Sequence, residues 1–115
     1  MADCLFCRIV AGEIPATIVK RSDEAIAFRD IDARAPAHVL VIPTEHVAAV
    51  RDARGAEGER LLGMLLRFAA EVATELGLDS AGYRIVTNTG KDAGQSVDHL
   101  HFHVLGGRKL TWPPG

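Results

Sequence analysis

The sequence has little net charge, few cysteines and no long apolar run, and each scarcity closes off a class of function. Thirteen Lys and Arg stand against fifteen Asp and Glu, a formal net charge of −2. That balance excludes a broad electrostatic grip on nucleic acid or on an anionic membrane, and leaves anionic ligands to a locally built site. No stretch approaches the roughly 20 apolar residues of a membrane-spanning helix. The opening MADCLFCRIVAGEIP has neither a basic start nor a sustained apolar segment, so no secretory signal is expected and the cytoplasm is the expected compartment. There the two cysteines, Cys4 and Cys7, stay reduced, which favours metal or thiol chemistry over a disulfide. Repeats, low-complexity tracts, linkers and a Gly-rich Walker loop are all missing. The 115 residues are expected to form one domain, 1–115.

What is present alternates between short elements. Residues 4–11 predict a short helix with Leu5, Phe6 and Ile9 on its apolar side. Gly12, Pro15 and Pro36 place turns at GEIPA and DIDARAPA. TIVKR (17–21), AIAFRDI (25–31), HVLVI (38–42), YRIVTN (83–88) and VDHLHFHVL (97–105) have strand character. Between them Leu61, Leu65, Phe68, Val72 and Leu76 recur at helical spacing, and Gly77 supplies a stop. The expected class is α+β: an antiparallel sheet, because hairpin-length connections suit antiparallel neighbours, with one long helix and a short N-terminal one.

Three of the five histidines fall at alternate positions in DHLHFHVLGG: His99, His101 and His103. On a strand, alternate side chains share a face. The row Leu100, Phe102, Val104 is then purely apolar and is expected against the long helix, while the histidines face away from that core. Their neighbouring Cα atoms would lie about 6.6 Å apart. Such a row suits metal binding or chemistry. Three protonated imidazoles so close would repel, so at least one is expected to be neutral near pH 7, and a neutral imidazole is a nucleophile. The middle one has an imidazole on each side. Just upstream, NTGKDAGQSVDH offers Gly90 and Gly94 for close backbone approach and Asn88, Gln95 and Ser96 as hydrogen-bonding groups. A loop of this kind leading into a nucleophile suits an anionic phosphoryl group.

HLHFHVL matches the alternating His–apolar pattern of the histidine triad (HIT) superfamily, and GQSVDHLHFHVLGGRKLTWPPG resembles its Hint branch, the nucleoside phosphoramidases. CLFCRIVAGEIPA, AFRDIDARAPAHVLVIP and GYRIVTNTGKDAGQS resemble the corresponding Hint segments, so the similarity spans essentially the whole chain. One departure is Asp98, where such proteins usually carry a bulky residue; strand parity points it away from the histidines.

The resemblance implies a purine nucleoside phosphoramidase that cleaves the P–N bond of AMP– or GMP–amine conjugates through a nucleotidyl-histidine intermediate. His101 matches the nucleophile, His103 the residue that hydrogen-bonds the phosphate or leaving-group side, and His38 an additional active-site histidine that orients the triad. Ser96 matches a phosphate-loop position that also passes a proton towards the leaving amine. Asn88, Gly94, Gln95 and Val97 belong to the same loop. Asp30, ending the apolar row Ile26–Phe28, matches the acceptor for both ribose hydroxyls. Phe6, Ile9, Phe28, Ile31 and Leu40 match the lining of the purine slot. No organic cofactor is implied.

The N-terminal C-x-x-C resembles a zinc-bearing subset whose ligands match Cys4, Cys7, His46 and His99. A closed Cys₂His₂ set is structural rather than catalytic. The resemblance also implies a homodimer whose two sheets join into one, with Trp112–Gly115 reaching towards the partner's active site. The helix pattern agrees with an interface, because Leu62, Ala69 and Ala73 flank its main stripe and Gly63 would allow close approach. Two other functions fit the same motifs: dinucleoside polyphosphate hydrolysis or nucleotidyl transfer, and a nucleotide-binding regulatory module.

Overall fold

A computed structural model of the chain describes residues 3–115. The order is helix α1 (Leu5–Val10), strands β1 (Ile18–Arg21), β2 (Ala25–Arg29) and β3 (Ala37–Pro43), a 3₁₀ turn (Val50–Asp52), helix α2 (Gly55–Glu75), and strands β4 (Tyr83–Val86) and β5 (Phe102–Gly106). The five strands form one antiparallel sheet in the order β1-β2-β3-β5-β4. This is the α+β architecture expected from the pattern. Among the described residues, no helix is long and apolar enough to cross a membrane.

Strand parity sorts the core into two clusters. Ala25, Ala27, Val39, Val41, Phe102 and Val104 pack with Leu61, Leu65, Phe68, Ala69, Val72 and Ala73 of α2. Ile26, Phe28, Leu40 and Ile42 point to the other face, against Phe6 and Ile9 of α1. The α2 face is the larger store of stability; truncating fully buried Leu65 to Ala costs about 2–5 kcal/mol. On the α1 face the six-residue helix covers only part of the sheet, and the uncovered remainder is where a ligand can enter.

Three differences from the sequence pattern have physical causes. Helix α2 begins at Gly55, six residues before the apolar stripe at Leu61, because its first turn rests on the chain before it. A Cβ at Gly58 would lie 2.2 Å from the Ala53 carbonyl carbon, so glycine is what lets the helix start there. Ala69 and Ala73, expected at the edge of an interface stripe, are fully buried within the chain; on the outer side of that helix Leu66 and Gly63 are exposed among charged residues.

The third difference touches the histidines. The expected strand over 97–105 is strand only from Phe102 to Gly106. β3 and β5 pair from Ala37↔Gly106 to Val41↔Phe102, and β3 then ends at Pro43, which has no N–H to extend the ladder. Residues 97–101 are held by other bonds. The Leu100 N–H donates to the Val47 carbonyl at 2.6 Å, and the His99 ring donates to the Pro43 carbonyl at 2.9 Å. Leu100 is still buried with Phe102 and Val104 against α2.

Candidate active site

A cavity of about 620 Å³ opens on the α1 side of the sheet. Phe6 and Ile9 of α1, Phe28 of β2 and Leu40 of β3 form its apolar walls, Ile31 and Asp30 its rim, and Ser96, Val97, His101 and His103 its polar side. Ile31 is fully exposed, an apolar side chain at the mouth with no protein partner. The chain also contributes Leu5, Ile14, Pro15, Ala16, Thr17 and Arg29, none of which the sequence pattern assigned to a site. The Arg29 N–H donates to the Thr17 carbonyl at 3.0 Å, so the turn after α1 is stitched to the end of β2. Leu5, expected on the buried side of α1, is 44% exposed; it borders the cavity instead of filling the core.

The histidines divide into two groups. His99 is fully buried and turns away from the cavity. His101 and His103 line it, their ring centroids 5.2 Å apart, and the Phe6 ring stands edge-on to His101 at 5.2 Å. Hydrogen-bond partners assign the tautomers. His101 Nδ1 lies 2.7 Å from the His99 carbonyl oxygen, which can only accept. Nδ1 therefore carries the proton, and in the neutral ring Nε2 is left with a free lone pair.

His38 is 5% exposed, and its Nδ1 accepts the Arg34 N–H at 3.0 Å. Its proton is thus on Nε2, which lies 2.9 Å from His103 Nδ1 and 3.3 Å from Asp30 Oδ2. His103 accepts at Nδ1, so its own proton is on Nε2. Burial holds both rings below the ordinary imidazole range. His103 is lowered to about 4, because positive charge arriving on His101 or His38 would further oppose its own protonation, against a smaller opposing pull from Asp30. The cavity therefore has an imidazole lone pair at His101 beside an imidazole N–H donor at His103.

The loop before the triad is arranged differently from expectation. Gln95, Gly94 and Asn88 are not among the residues lining the cavity. The Gln95 side chain turns inward, accepting the Gly90 N–H at 2.9 Å and donating to the carbonyls of Ala48 at 2.7 Å and Val97 at 3.1 Å. The Gly94 N–H is spent on the Lys91 carbonyl at 3.0 Å. These bonds hold the loop and bring Ser96 and Val97, rather than Gly94 and Gln95, to the wall. Asn88 is half-buried in the segment after β4.

Behind the triad, Cys4, Cys7, His46 and His99 gather so that one ligand atom from each lies within 4.8 Å of the others. Cys4 Sγ and His99 Nδ1 are 3.3 Å apart, Cys7 Sγ and His46 Nδ1 3.3 Å, and Cys7 Sγ and His99 Nδ1 3.5 Å. Tetrahedral zinc with ordinary Zn–S and Zn–N bonds gives a sulfur–nitrogen edge of about 3.6 Å, so the cluster fits a closed metal site. His99 donates from Nε2 to the Pro43 carbonyl, leaving Nδ1 bare towards the sulfurs, as a ligating histidine requires. Asp98 is not in a strand, and its side chain borders a recess of about 550 Å³ shared with Cys4 and His46.

A family model described as HIT domain matches residues 11–110 of this chain. An uncharacterized HIT-like protein of Synechococcus elongatus is 50% identical over 113 residues, 98% of this chain and 97% of its own length. The crystal structure of a HIT family hydrolase from Legionella pneumophila superposes with a TM-score of 0.94 at 47% identity, covering 98% of this chain and 100% of that one. A histidine triad protein from Clostridium difficile gives 0.92 at 40% identity, with 96% of each chain covered.

Proposed function

Because the chain belongs to the HIT domain family, we propose that it is a nucleotide hydrolase, and specifically a purine nucleoside phosphoramidase that cleaves AMP– or GMP–amine conjugates. The observation that carries this reading is the imidazole lone pair of His101 at the polar end of an otherwise apolar cavity. Relatives whose structures are named HIT family hydrolases support the coarse reaction class.

In this reading the purine lies among Phe6, Ile9, Phe28, Ile31 and Leu40, and Asp30 accepts the ribose hydroxyls. His101 Nε2 attacks the α-phosphorus, and the P–N bond to the amine breaks while Ser96 passes a proton to the leaving nitrogen. The nucleotidyl-imidazole gains positive charge, which the bond from Nδ1–H to the His99 carbonyl stabilises. Water then displaces the imidazole and gives up a proton that restores the Ser96 hydroxyl, releasing AMP or GMP and returning the neutral ring. One hard displacement becomes two easier ones. His103 donates from Nε2 to the phosphoryl oxygens, and no metal step is needed. Val97 completes the phosphate wall, while Asn88, Gly94 and Gln95 act through the shape of the loop.

Zinc held by Cys4, Cys7, His46 and His99 supplies structure rather than chemistry. It ties α1, which carries Phe6 between the two cysteines, to the segment that carries His101. The working unit in this reading is a homodimer.

Turnover of an AMP–amine substrate measured beside diadenosine tetraphosphate tests the assignment. Preferential release of AMP and free amine supports it. Faster cleavage of the dinucleotide points to the polyphosphate branch, and binding without turnover of either points to a regulatory module.

A further inference from the structure

His38 donates its one ring proton to His103, and a carboxylate oxygen of Asp30 stands close to the same nitrogen without a hydrogen bond to it. Its Nδ1 is committed to the Arg34 N–H, so the proton sits on Nε2, with His103 Nδ1 at 2.9 Å and Asp30 Oδ2 at 3.3 Å. Asp30 is not free to swing away, because its other oxygen accepts the Asp32 N–H at 2.8 Å. Oδ1 is thus occupied in a turn of the backbone, and Oδ2 is the oxygen shared between His38 and the cavity. The three side chains form a compact group, with one ligand atom from each within 4.8 Å of the others.

We propose that Asp30 is a positioning residue that couples recognition of the sugar to the phosphoryl chemistry: ribose hydroxyls bound at Oδ2 weaken its electrostatic pull on the His38 N–H and tighten the bond from His38 to His103. The inference rests on the reading that the cavity holds a nucleotide. The carboxylate and the His103 ring pull on the same proton. The negative carboxylate 3.3 Å from Nε2 attracts the His38 N–H and pulls it off the line to His103. A hydroxyl donating to Oδ2 spreads that negative charge and weakens the competitor. The His38–His103 bond then straightens and holds the His103 ring, whose Nε2–H is the donor to the phosphate. A hydrogen-bond donor helps the transition state only when it is held in place beforehand. The sugar therefore contributes to turnover as well as to affinity, and the enzyme discriminates ribose from deoxyribose partly in kcat. Asp30 stands at the end of β2 and His38 near the start of β3, and the Asp30 N–H donates to the His38 carbonyl at 3.0 Å. A backbone bond between the same two residues therefore keeps them in register.

The test compares AMP–amine substrates carrying ribose, 2′-deoxyribose and 2′,3′-dideoxyribose with the wild-type protein. Loss of both hydroxyls is expected to lower kcat about tenfold, in addition to any rise in KM, since part of one preorganised donor is lost. In Asp30→Asn, which lacks the competing charge, kcat should be nearly the same for all three sugars. A second readout needs no turnover: in protein labelled with ¹⁵N-histidine, AMP should shift the His103 Nδ1 resonance and 2′,3′-dideoxy-AMP should not. A sugar effect confined to KM, or equal imidazole shifts with both nucleotides, overturns the coupling while leaving the phosphoramidase reading intact. The AMP-specific shift without hydrolysis of any amide does the reverse. Failure of AMP to bind overturns both.

Discussion

His101 Nδ1 sits 2.7 Å from the carbonyl oxygen of His99, two residues earlier in the chain. That contact settles which nitrogen of His101 is bare, and it lies in the segment before β5 begins at Phe102. His101 is 4% exposed, so its lone pair meets the cavity rather than bulk water. Replacing His101 with Ala is expected to abolish turnover by several orders of magnitude, as removal of a covalent nucleophile does. AMP should still bind, because Asp30 and the apolar walls are untouched. His103→Ala should be slower than wild type but measurable. Mass spectrometry of a rapidly quenched reaction should place the nucleotidyl adduct on His101; an adduct on His99 or His103 would refute the assignment.

Acid should weaken the fold through the same buried rings. His103 titrates at about 4 in the folded chain against an ordinary 6.5, and His38 is also lowered, burial being the main cause for each. The unfolded chain takes up protons as the pH falls through 6.5 while these two native rings do not. With more protons on the unfolded state, stability declines as pH drops from about 6.5 towards 4, and this contribution levels off below that. Thermal melts of wild type and His103→Gln between pH 7 and pH 4 check it. The variant should show the shallower decline, and parallel curves would exclude His103 as a cause.

The fold was largely legible because two periodicities dominate the chain. The helical spacing from Leu61 to Leu76 marked α2, and alternation in AIAFR and HVLVI marked the strands that separate the two core clusters. The start of α2 was not legible, since Arg54 offers no side-chain cap and the first turn is held by close packing at Gly58. The C-x-x-C, His46 and His99 are brought together as a group able to hold a metal. The cavity wall from Ile14 to Thr17 had no signal. Ile14 to Ala16 read as a turn and Thr17 as the start of a strand, and only the path of the chain back along β2 puts them beside the cavity. The inward turn of Gln95 was equally hidden, because an amide in a glycine loop can face a ligand or its own backbone with the same sequence.

Metal content follows from the short sulfur–nitrogen distances behind the triad. Protein purified under metal-free handling is expected to carry about one zinc per chain, as a closed four-ligand site demands. Cys7→Ser should lower the melting temperature more than it lowers turnover, because the cysteines tie α1 to the His99 segment and do not line the cavity. Metal analysis by plasma mass spectrometry together with thermal melts decides this. Zinc-free protein whose cysteine variants melt like wild type would remove the site.

The C-terminal tail bears on the assembly. β4 is an edge strand of the sheet, and Arg84 within it donates to the Thr111 carbonyl at 2.8 Å, so the tail lies beside an open edge. An unpaired edge is a template for a further strand, and a two-fold pairing is the commonest way to close one. Trp112 is 82% exposed and does not line this chain's own cavity, a placement that suits contact with a second copy. Light scattering at micromolar concentration should give the mass of a dimer; a monomer mass would refute the pairing. Removing residues 110–115 should change the preference among leaving amines before it changes thermal stability, because the tail contributes none of the buried core. An unchanged preference in a folded, dimeric truncation would show that the tail has no part in the partner's site.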